Sequence, residues 1–185
     1  MKKTVATLLA AAAALAGASA YAQATGSVVI NGTVAEKCSA VEPINGAINL
    51  GELAKDNGSV DPAFANHKDG LSRKFTVRCN GSNPQISVEA KPLVNAAVTQ
   101  PTNGYTNTVG YTAKVSAKGA KGGNTDVSDL ALNNGATMGR LGDRLAAEAN
   151  NVTLTISDGI TANSTAILEA GSYAGTVGII ISAAI

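Results

Sequence analysis

The sequence predicts an all-β protein built as a sandwich of antiparallel β-sheets. Alternating apolar and polar residues recur in short segments, and turn-forming Gly and Asn residues separate those segments. About seven short strands in about 150 residues, with turns between them, are typical of a β-sandwich. The alternation itself indicates antiparallel sheets that each keep one face in contact with solvent.

The first 22 residues are expected to be a signal peptide. A basic start is followed by an apolar stretch over residues 5–16, and Ala20-Tyr21-Ala22 fits the small-x-small rule for cleavage after Ala22. The alternative is a transmembrane anchor, because the whole apolar run is about 18 residues long. Alanine is only weakly hydrophobic and no charges follow the run, so we expect cleavage and no membrane span in the mature chain.

Composition and charge exclude several classes of function. The chain has 14 basic and 13 acidic residues; without Lys2 and Lys3 the basic count falls to 12, which leaves a net charge of −1. A net charge so close to zero provides no positive electrostatic field that would attract nucleic acid. One His and two Cys exclude a site of clustered His and Cys metal ligands. The absence of Trp leaves few aromatic platforms for a ligand, and we expect no cofactor.

The expected strands begin with residues 27–35 and each presents one apolar face. In this first segment Val28, Ile30, Gly32 and Val34 share a face. A short apolar run follows at residues 47–50, and residues 55–71 form a polar loop. The later expected strands are residues 74–79, 85–91 (interrupted by Pro92, as at a strand end or edge), 108–117, 151–157 and 173–182.

Turns and one helical segment complete the expected secondary structure. Leu141, Leu145 and Ala149 are spaced as on a helix face, but Gly139 and Gly142 limit residues 138–150 to one or two helical turns. The expected turns lie at residues 80–81, 103–104, 119–124, 133–135 and 158–159.

Cys38 and Cys79 are the only two cysteines of the chain. Export through an oxidising compartment would make them a disulfide, with one possible connectivity. Closing a loop of about 40 residues would stabilise the fold by roughly 4 kcal/mol. Two buried thiols are the alternative, and a metal site made from two cysteines alone is weaker still.

No catalytic motif is present in the sequence. His67 lies in a polar loop and has no second histidine to pair with, and no Gly-x-Ser-x-Gly elbow occurs. Asp126 with Asp129, or Asp158 with Glu169, could form acid pairs, but a random scatter of carboxylates produces such pairs easily. We therefore expect that the protein is not an enzyme.

The two ends of the mature chain are complementary. Residues 173–182 form a nearly uncharged, β-branched strand whose backbone would be open to pairing at a sheet edge. Residues 23–35 precede Cys38 and form an extension with one apolar face. An open edge at one end and a spare strand at the other predict head-to-tail strand addition between copies, and such a contact produces a filament when it does not close.

These features resemble a pilin subunit of the chaperone–usher pathway, of the archaic type related to spore-coat-U-like domains. The alternating segment has a glycine at Gly32, where that family has a small pocket. Cys38 and Cys79 are similar in spacing to the family's first disulfide. Residues 169–177, Glu-Ala-Gly-Ser-Tyr-Ala-Gly-Thr-Val, resemble the family's Gly-x-Tyr-x-Gly/Asp-Thr-Val entry into the last strand. The chain ends Ala184-Ile185, whereas the classical pilins have a tyrosine next to last.

The resemblance implies an immunoglobulin-like sandwich at residues 36–185 that lacks its last strand. Other pilin subunits, a periplasmic chaperone and an outer-membrane usher would be its partners. The protein would be exported through the periplasm of a Gram-negative bacterium and support adhesion or biofilm formation in a surface fimbria. Residues 23–35 would provide the donor strand, and an acceptor groove would be lined by Tyr173, Val177, Ile179 and Ile181.

Two alternatives stay open. Residues 27–35 could pair within their own chain in an ordinary, complete sandwich. The protein could also be a stand-alone secreted β-sandwich that binds a glycan or a surface protein, although few aromatic residues are available for such a site.

Overall fold

The computed structural model describes residues 28–183, so the predicted signal peptide and the first part of the predicted extension lie outside the described residues. The chain divides into two compact units, Met1–Val34 and Ala35–Ile185. In the first unit the described residues 28–34 form no strand. Their apolar side chains are open to solvent, with Val28 89%, Ile30 91% and Val34 85% exposed.

The described part of the second unit contains eleven β-strands and no helix, which confirms the all-β prediction. The strands are β1 (Cys38–Ala40), β2 (Ser72–Phe75), β3 (Val77–Cys79), β4 (Gln85–Val94), β5 (Tyr105–Thr106), β6 (Thr108–Lys118), β7 (Asn124–Leu130), β8 (Thr137–Arg140), β9 (Val152–Ile160), β10 (Ile167–Leu168) and β11 (Ala174–Ser182).

The long strands form two antiparallel layers that share a corner. One layer has the order β7-β6-β9-β2, and the other has the order β11-β4-β8. The layers join where Leu93 and Val94 at the end of β4 pair with Val109 and Thr108 at the start of β6. The result is an antiparallel sandwich consistent with the immunoglobulin-like fold. Two small sheets, β1-β3 and the parallel pair β10-β5, lie outside these layers.

The core forms from the apolar faces that the alternation predicted. Period-2 alternation places every second side chain on the inner face, and burial follows it closely in β4, β6 and β9. The buried hydrophobic side chains of these three strands are Ile86, Val88, Ala90, Val109, Tyr111, Ala113, Val115, Ala117, Val152, Leu154 and Ile156. The inward faces predicted for these strands are therefore confirmed.

Several secondary-structure predictions are not met. The strand expected at residues 27–35 is not formed in residues 28–35, and no segment of the described chain pairs with them through a strand ladder. The helix expected at residues 138–150 is also absent. Thr137–Arg140 instead forms β8, because its backbone pairs with Gln85–Val88 of β4, and tertiary pairing overrides a weak helical pattern.

The loop at residues 55–71 was expected to be polar, yet it supplies a fully buried aromatic side chain, Phe64. Phe64 adopts a positive φ of 47°, and its ring lies so close to Gly159 that a Cβ there would be 2.8 Å away. Residues 158–159 therefore do not form the predicted turn but lie inside β9, next to this ring. Burial of the ring explains why the loop is ordered against the core.

Within residues 28–183 we find no helix with the length and apolar character needed to cross a membrane.

Candidate functional site

The edge strand β11 carries the predicted acceptor residues. In the described chain it pairs only with β4, in register from Thr176 opposite Lys91 to Ser182 opposite Gln85. No strand of residues 28–183 pairs with its outer edge. Val177, Ile179 and Ile181 face the core but are only half-buried, whereas Ile86 and Val88 on neighbouring β4 are almost fully buried. The inward face of β11 is thus incompletely covered.

Tyr173 holds the entry to β11. Its hydroxyl donates to the carbonyl oxygen of Glu169 at 2.8 Å and lies 3.2 Å from that of Thr106. Burial raises the pKa of the Tyr173 hydroxyl, and the nearby Glu169 carboxylate adds to this effect. Tyr173 packs partly against the core. The Gly-x-Tyr part of the motif therefore positions the strand that follows it.

Gly175 is required by a close approach of two backbones. The register between β11 and β4 shifts here, because Ala174 opposes Val94 while Thr176 opposes Lys91. A Cβ on Gly175 would lie 2.8 Å from the carbonyl oxygens of both Lys91 and Pro92. Pro92 has no N–H to donate to a ladder, which explains why the pairing is irregular at this point. Strand β4 nevertheless continues past Pro92 to Val94, so the strand end predicted there is wrong.

Tyr111 on β6 stabilises the register shift between β4 and β11 through its hydroxyl group. Its hydroxyl donates to the carbonyl oxygen of Lys91 at 2.8 Å and lies 3.1 Å from that of Thr176. A buried polar group next to a broken ladder needs such a partner. Burial raises the pKa of Tyr111 to about 12, and the negative charge of Asp129 contributes to the shift. The hydroxyl is therefore neutral and acts as a donor.

Residues 44–50 lie across from the start of β11. Ile44, Ile48 and Leu50 are half-buried against the core, and no strand pairs with this segment within the described residues. Two of its carbonyl oxygens accept hydrogen bonds from outside the segment. The Asn49 carbonyl oxygen accepts from the Lys68 amide at 3.0 Å, and the Ala47 carbonyl oxygen accepts from the Arg73 guanidinium. The sequence analysis identified only a short apolar run at 47–50, although the even-numbered Ile44, Gly46, Ile48 and Leu50 alternate as on a strand face.

A cavity separates residues 44–50 from β11. It has a volume of about 350 Å³ and lies between Gly46–Ile48 on one side and Gly175–Val177 on the other. Its floor includes Tyr111, Leu154 and Ile156, which are core residues. We call this cavity, together with the half-buried face of β11, the edge groove.

A second, larger cleft continues from the edge groove. It has a volume of about 710 Å³ and shares Ala47, Ile48, Leu50 and Leu93 with the first cavity. Its remaining lining comes from Asn49, from residues 51–54 and from residues 168–173 before β11, including Glu169 and Tyr173. The open space beside β11 is therefore apolar at its floor and more polar towards the entry of the strand.

Three other candidates of the sequence analysis, Asp126, Asp129 and His67, make local contacts that belong to the fold. Asp129 is buried and accepts hydrogen bonds from the Ala90 amide at 2.8 Å and the Thr137 hydroxyl at 2.7 Å. Asp126 is exposed on the opposite face of β7 and lies 3.6 Å from Lys114. The two carboxylates do not face a common space. His67 is exposed and its ring Nδ1 accepts from the Gly70 amide.

No group of three or more His, Cys, Asp or Glu side chains capable of holding a metal occurs among residues 28–183.

The predicted disulfide between Cys38 and Cys79 is formed. It joins β1 to β3, in which the two cysteines are directly opposed. The structure places Val177, Ile179 and Ile181 on β11 and Tyr173 directly before that strand. The predicted donor residues Val28, Ile30, Gly32 and Val34 lie in the separate first unit, exposed and outside any strand.

No protein-family model, no curated protein and no solved structure matches this chain.

Proposed function

We propose that this chain is a structural subunit of a surface fimbria that polymerises head to tail by donor-strand complementation. The observation that carries the proposal is the edge groove. A strand edge without a partner among the described residues, half-buried inward side chains and an apolar cavity occur together at one edge of the sandwich. An added strand would satisfy all three features at once, because its backbone would pair with β11 and its side chains would cover the core.

The proposed occupant is the segment with Val28, Ile30, Gly32 and Val34 of another copy. Three of these side chains are large, apolar and 85–91% exposed. Burying an exposed Val or Ile side chain stabilises a complex by about 1.5–3 kcal/mol. Because the edge groove belongs to one copy and the spare segment to the next, the contact is head to tail, and it produces a fibre when the rotation between copies does not close a ring. A chaperone strand would occupy the groove before assembly, and an usher would export the fibre to the cell surface, where it supports adhesion or biofilm formation.

The test compares two substitutions that are one residue apart. Ile30→Asp places a charge on the face proposed to enter the groove, and Val29→Asp places the same charge on the other face. We expect purified Ile30→Asp to stay monomeric in size-exclusion chromatography, while Val29→Asp and the unmodified chain form heat-resistant polymers. Polymers of Ile30→Asp equal to those of the unmodified chain would contradict the proposal.

A synthetic peptide of residues 27–35 tests the groove directly. We expect it to bind the monomeric Ile30→Asp chain, measured by fluorescence anisotropy, and a peptide carrying Ile30→Asp not to bind. Failure of the first peptide to bind would show that the groove does not accept this segment.

The larger cleft supports a second candidate, a secreted module that binds a glycan or a protein. A cleft of about 710 Å³ is large enough for a small ligand, but Tyr173 is the only aromatic residue among the described residues that line it. A module of this kind would bind its ligand as a monomer. Ile30→Asp would then leave binding unchanged, which separates the two functions.

A further inference from the structure

The side chain of Asn80 holds the chain at the point where the first unit joins the second. Its Nδ2 donates to the carbonyl oxygen of Ala35 at 2.8 Å, and its Oδ1 accepts from the amide of Lys37 at 2.6 Å. Its backbone amide also donates to the carbonyl oxygen of Lys37 at 3.1 Å. Three hydrogen bonds from one residue therefore bracket Glu36.

These bonds extend the β1-β3 ladder beyond the disulfide. Cys38 opposes Cys79 and is covalently bound to it, so the next residues in each strand are Lys37 and Asn80. The amide of the Asn80 side chain uses one N–H as donor and its oxygen as acceptor, the two roles that a peptide group offers, and it pairs with residues 35–37 in place of a further strand residue. Ala35 is also the first residue of the second unit. The segment 28–34 therefore ends directly at Ala35, a residue that Asn80 holds in place.

Asn80 is itself held in position. Its carbonyl oxygen accepts from the guanidinium of Arg144 at 3.1 Å. The following residue, Gly81, lies between Glu36 and the end of β11: a Cβ on Gly81 would be 3.5 Å from the Glu36 carboxyl carbon and 3.6 Å from the Cβ of Ala183. The residues that anchor the segment thus lie beside the end of the strand that forms the edge groove.

We propose that Asn80 is a positioning residue that removes the flexible linker between the donor strand and the folded domain, and so makes the junction between successive subunits rigid. This inference rests on the proposed function. Val34 would be buried in the groove of the preceding copy while Ala35 is held by Asn80 in its own copy. No free residue would then remain between the two attachments.

Loss of the Asn80 side chain would release Ala35 and Glu36 and free the amide of Lys37, while the bond from the Asn80 backbone amide to the Lys37 carbonyl oxygen remains. Two free residues in a flexible chain span about 8 Å with little directional preference, so adjacent subunits could bend relative to each other. The groove would be unchanged, because β11 and residues 44–50 keep their own contacts.

The experiment uses three variants of the full chain. Asn80→Ala removes both side-chain bonds, and Asn80→Asp keeps the acceptor for Lys37 but loses the donor to Ala35. Asn134→Ala changes an exposed asparagine in the β7–β8 turn and serves as the matched control. The measurements are the persistence length of the fibres in electron micrographs, the affinity of the peptide 27–35, and amide hydrogen exchange at Lys37 in the monomer.

We expect Asn80→Ala to shorten the persistence length by at least about twofold, as a flexible linker requires, and to accelerate exchange at Lys37. Peptide affinity should stay within about twofold of that of the unmodified groove. Asn80→Asp should keep slow exchange at Lys37 and give an intermediate stiffness, and Asn134→Ala should change none of the three.

Fibres of Asn80→Ala with unchanged stiffness would overturn the inference while leaving the proposed function intact. A loss of peptide affinity in Asn80→Ala would also overturn it, because Asn80 would then act on the groove. If the unmodified chain forms no fibres and binds no peptide, the proposed function fails and this inference fails with it, even where exchange at Lys37 responds as expected.

Discussion

Buried polar side chains support the strands of this protein where backbone pairing is interrupted. Asn151 bonds to both the amide and the carbonyl of Val77 and to the carbonyl of Ala146. Asp129 ties β7 to β4 and β8, and Tyr111 ties β6 to the irregular pairing of β4 and β11. Every buried side-chain N or O in the described residues has a partner. These polar groups therefore stabilise the sandwich without leaving unsatisfied atoms in its core.

Because of Tyr111, we expect the free energy of unfolding to depend on pH in the alkaline range. Its pKa is about 12 in the folded protein and about 10 in an unfolded chain. The stabilisation by the neutral hydroxyl is therefore complete below about pH 10 and is lost as pH rises through about 12. We expect the unfolding free energy in urea to fall more steeply between about pH 9 and about pH 11.5 for the unmodified chain than for Tyr111→Phe.

Tyr173 also has a raised pKa, but it is present both in the unmodified chain and in Tyr111→Phe. The difference between the two pH profiles therefore reports on Tyr111 alone. Parallel profiles would show that folding does not raise the pKa of the Tyr111 hydroxyl.

At the scale of the element, β11 is less buried on its inward face than the core strands β4, β6 and β9. Its inward residues are half-buried and Ile180 on its outward face is 65% exposed. An apolar edge of this kind promotes association unless it is covered. The strand is held from one side by β4 and at its entry by Tyr173 and Gly175, which leaves its other edge available.

Neighbouring isoleucines of β11 provide the prediction at this scale. Ile179→Ala removes a side chain that faces the edge groove, whereas Ile180→Ala removes one that faces solvent. We expect Ile179→Ala to weaken binding of the peptide 27–35 by about tenfold, since it removes apolar area that the peptide would cover. Ile180→Ala should bind the peptide like the unmodified groove. Isothermal titration calorimetry measures both, and equal affinities of the two variants would contradict the placement of the groove.

At the scale of the whole molecule, one covalent bond joins the start of the sandwich to β3. The disulfide spans 41 residues of sequence, and this stretch includes residues 44–50 and the loop with Phe64. These segments form no long strand ladder of their own. Their order depends on burial of Phe64 and on the two ends of the stretch being held together.

Removal of the disulfide therefore lowers the stability of the whole domain. For a loop of this length we expect the double variant Cys38→Ala, Cys79→Ala to lose about 2–4 kcal/mol of unfolding free energy. Guanidinium unfolding followed by tyrosine fluorescence measures the loss, and reduction of the unmodified chain with dithiothreitol should produce a similar one. An unchanged midpoint in both experiments would mean that the disulfide does not constrain the unfolded chain.

Much of this architecture could be predicted from sequence because alternation is a local signal. A strand with one buried face repeats every second residue, so the inward faces of β4, β6 and β9 were predicted correctly. The disulfide followed from the expected export and the presence of two cysteines. The helix expected at residues 138–150 was wrong because its pattern was weak and β8 found a partner in β4.

The sequence alone determined the class of the fold, the identity of its inward faces and the apolar character of residues 28–34 and β11. The tertiary structure decided which faces are covered and by what. Only the folded chain shows that residues 44–50 lie across a cavity from β11, that Tyr111 reaches the irregular pairing at Gly175, and that Asn80 holds Ala35. The physical reason is that periodicity reports which side of a segment is apolar, whereas its neighbours are set by contacts between residues far apart in sequence.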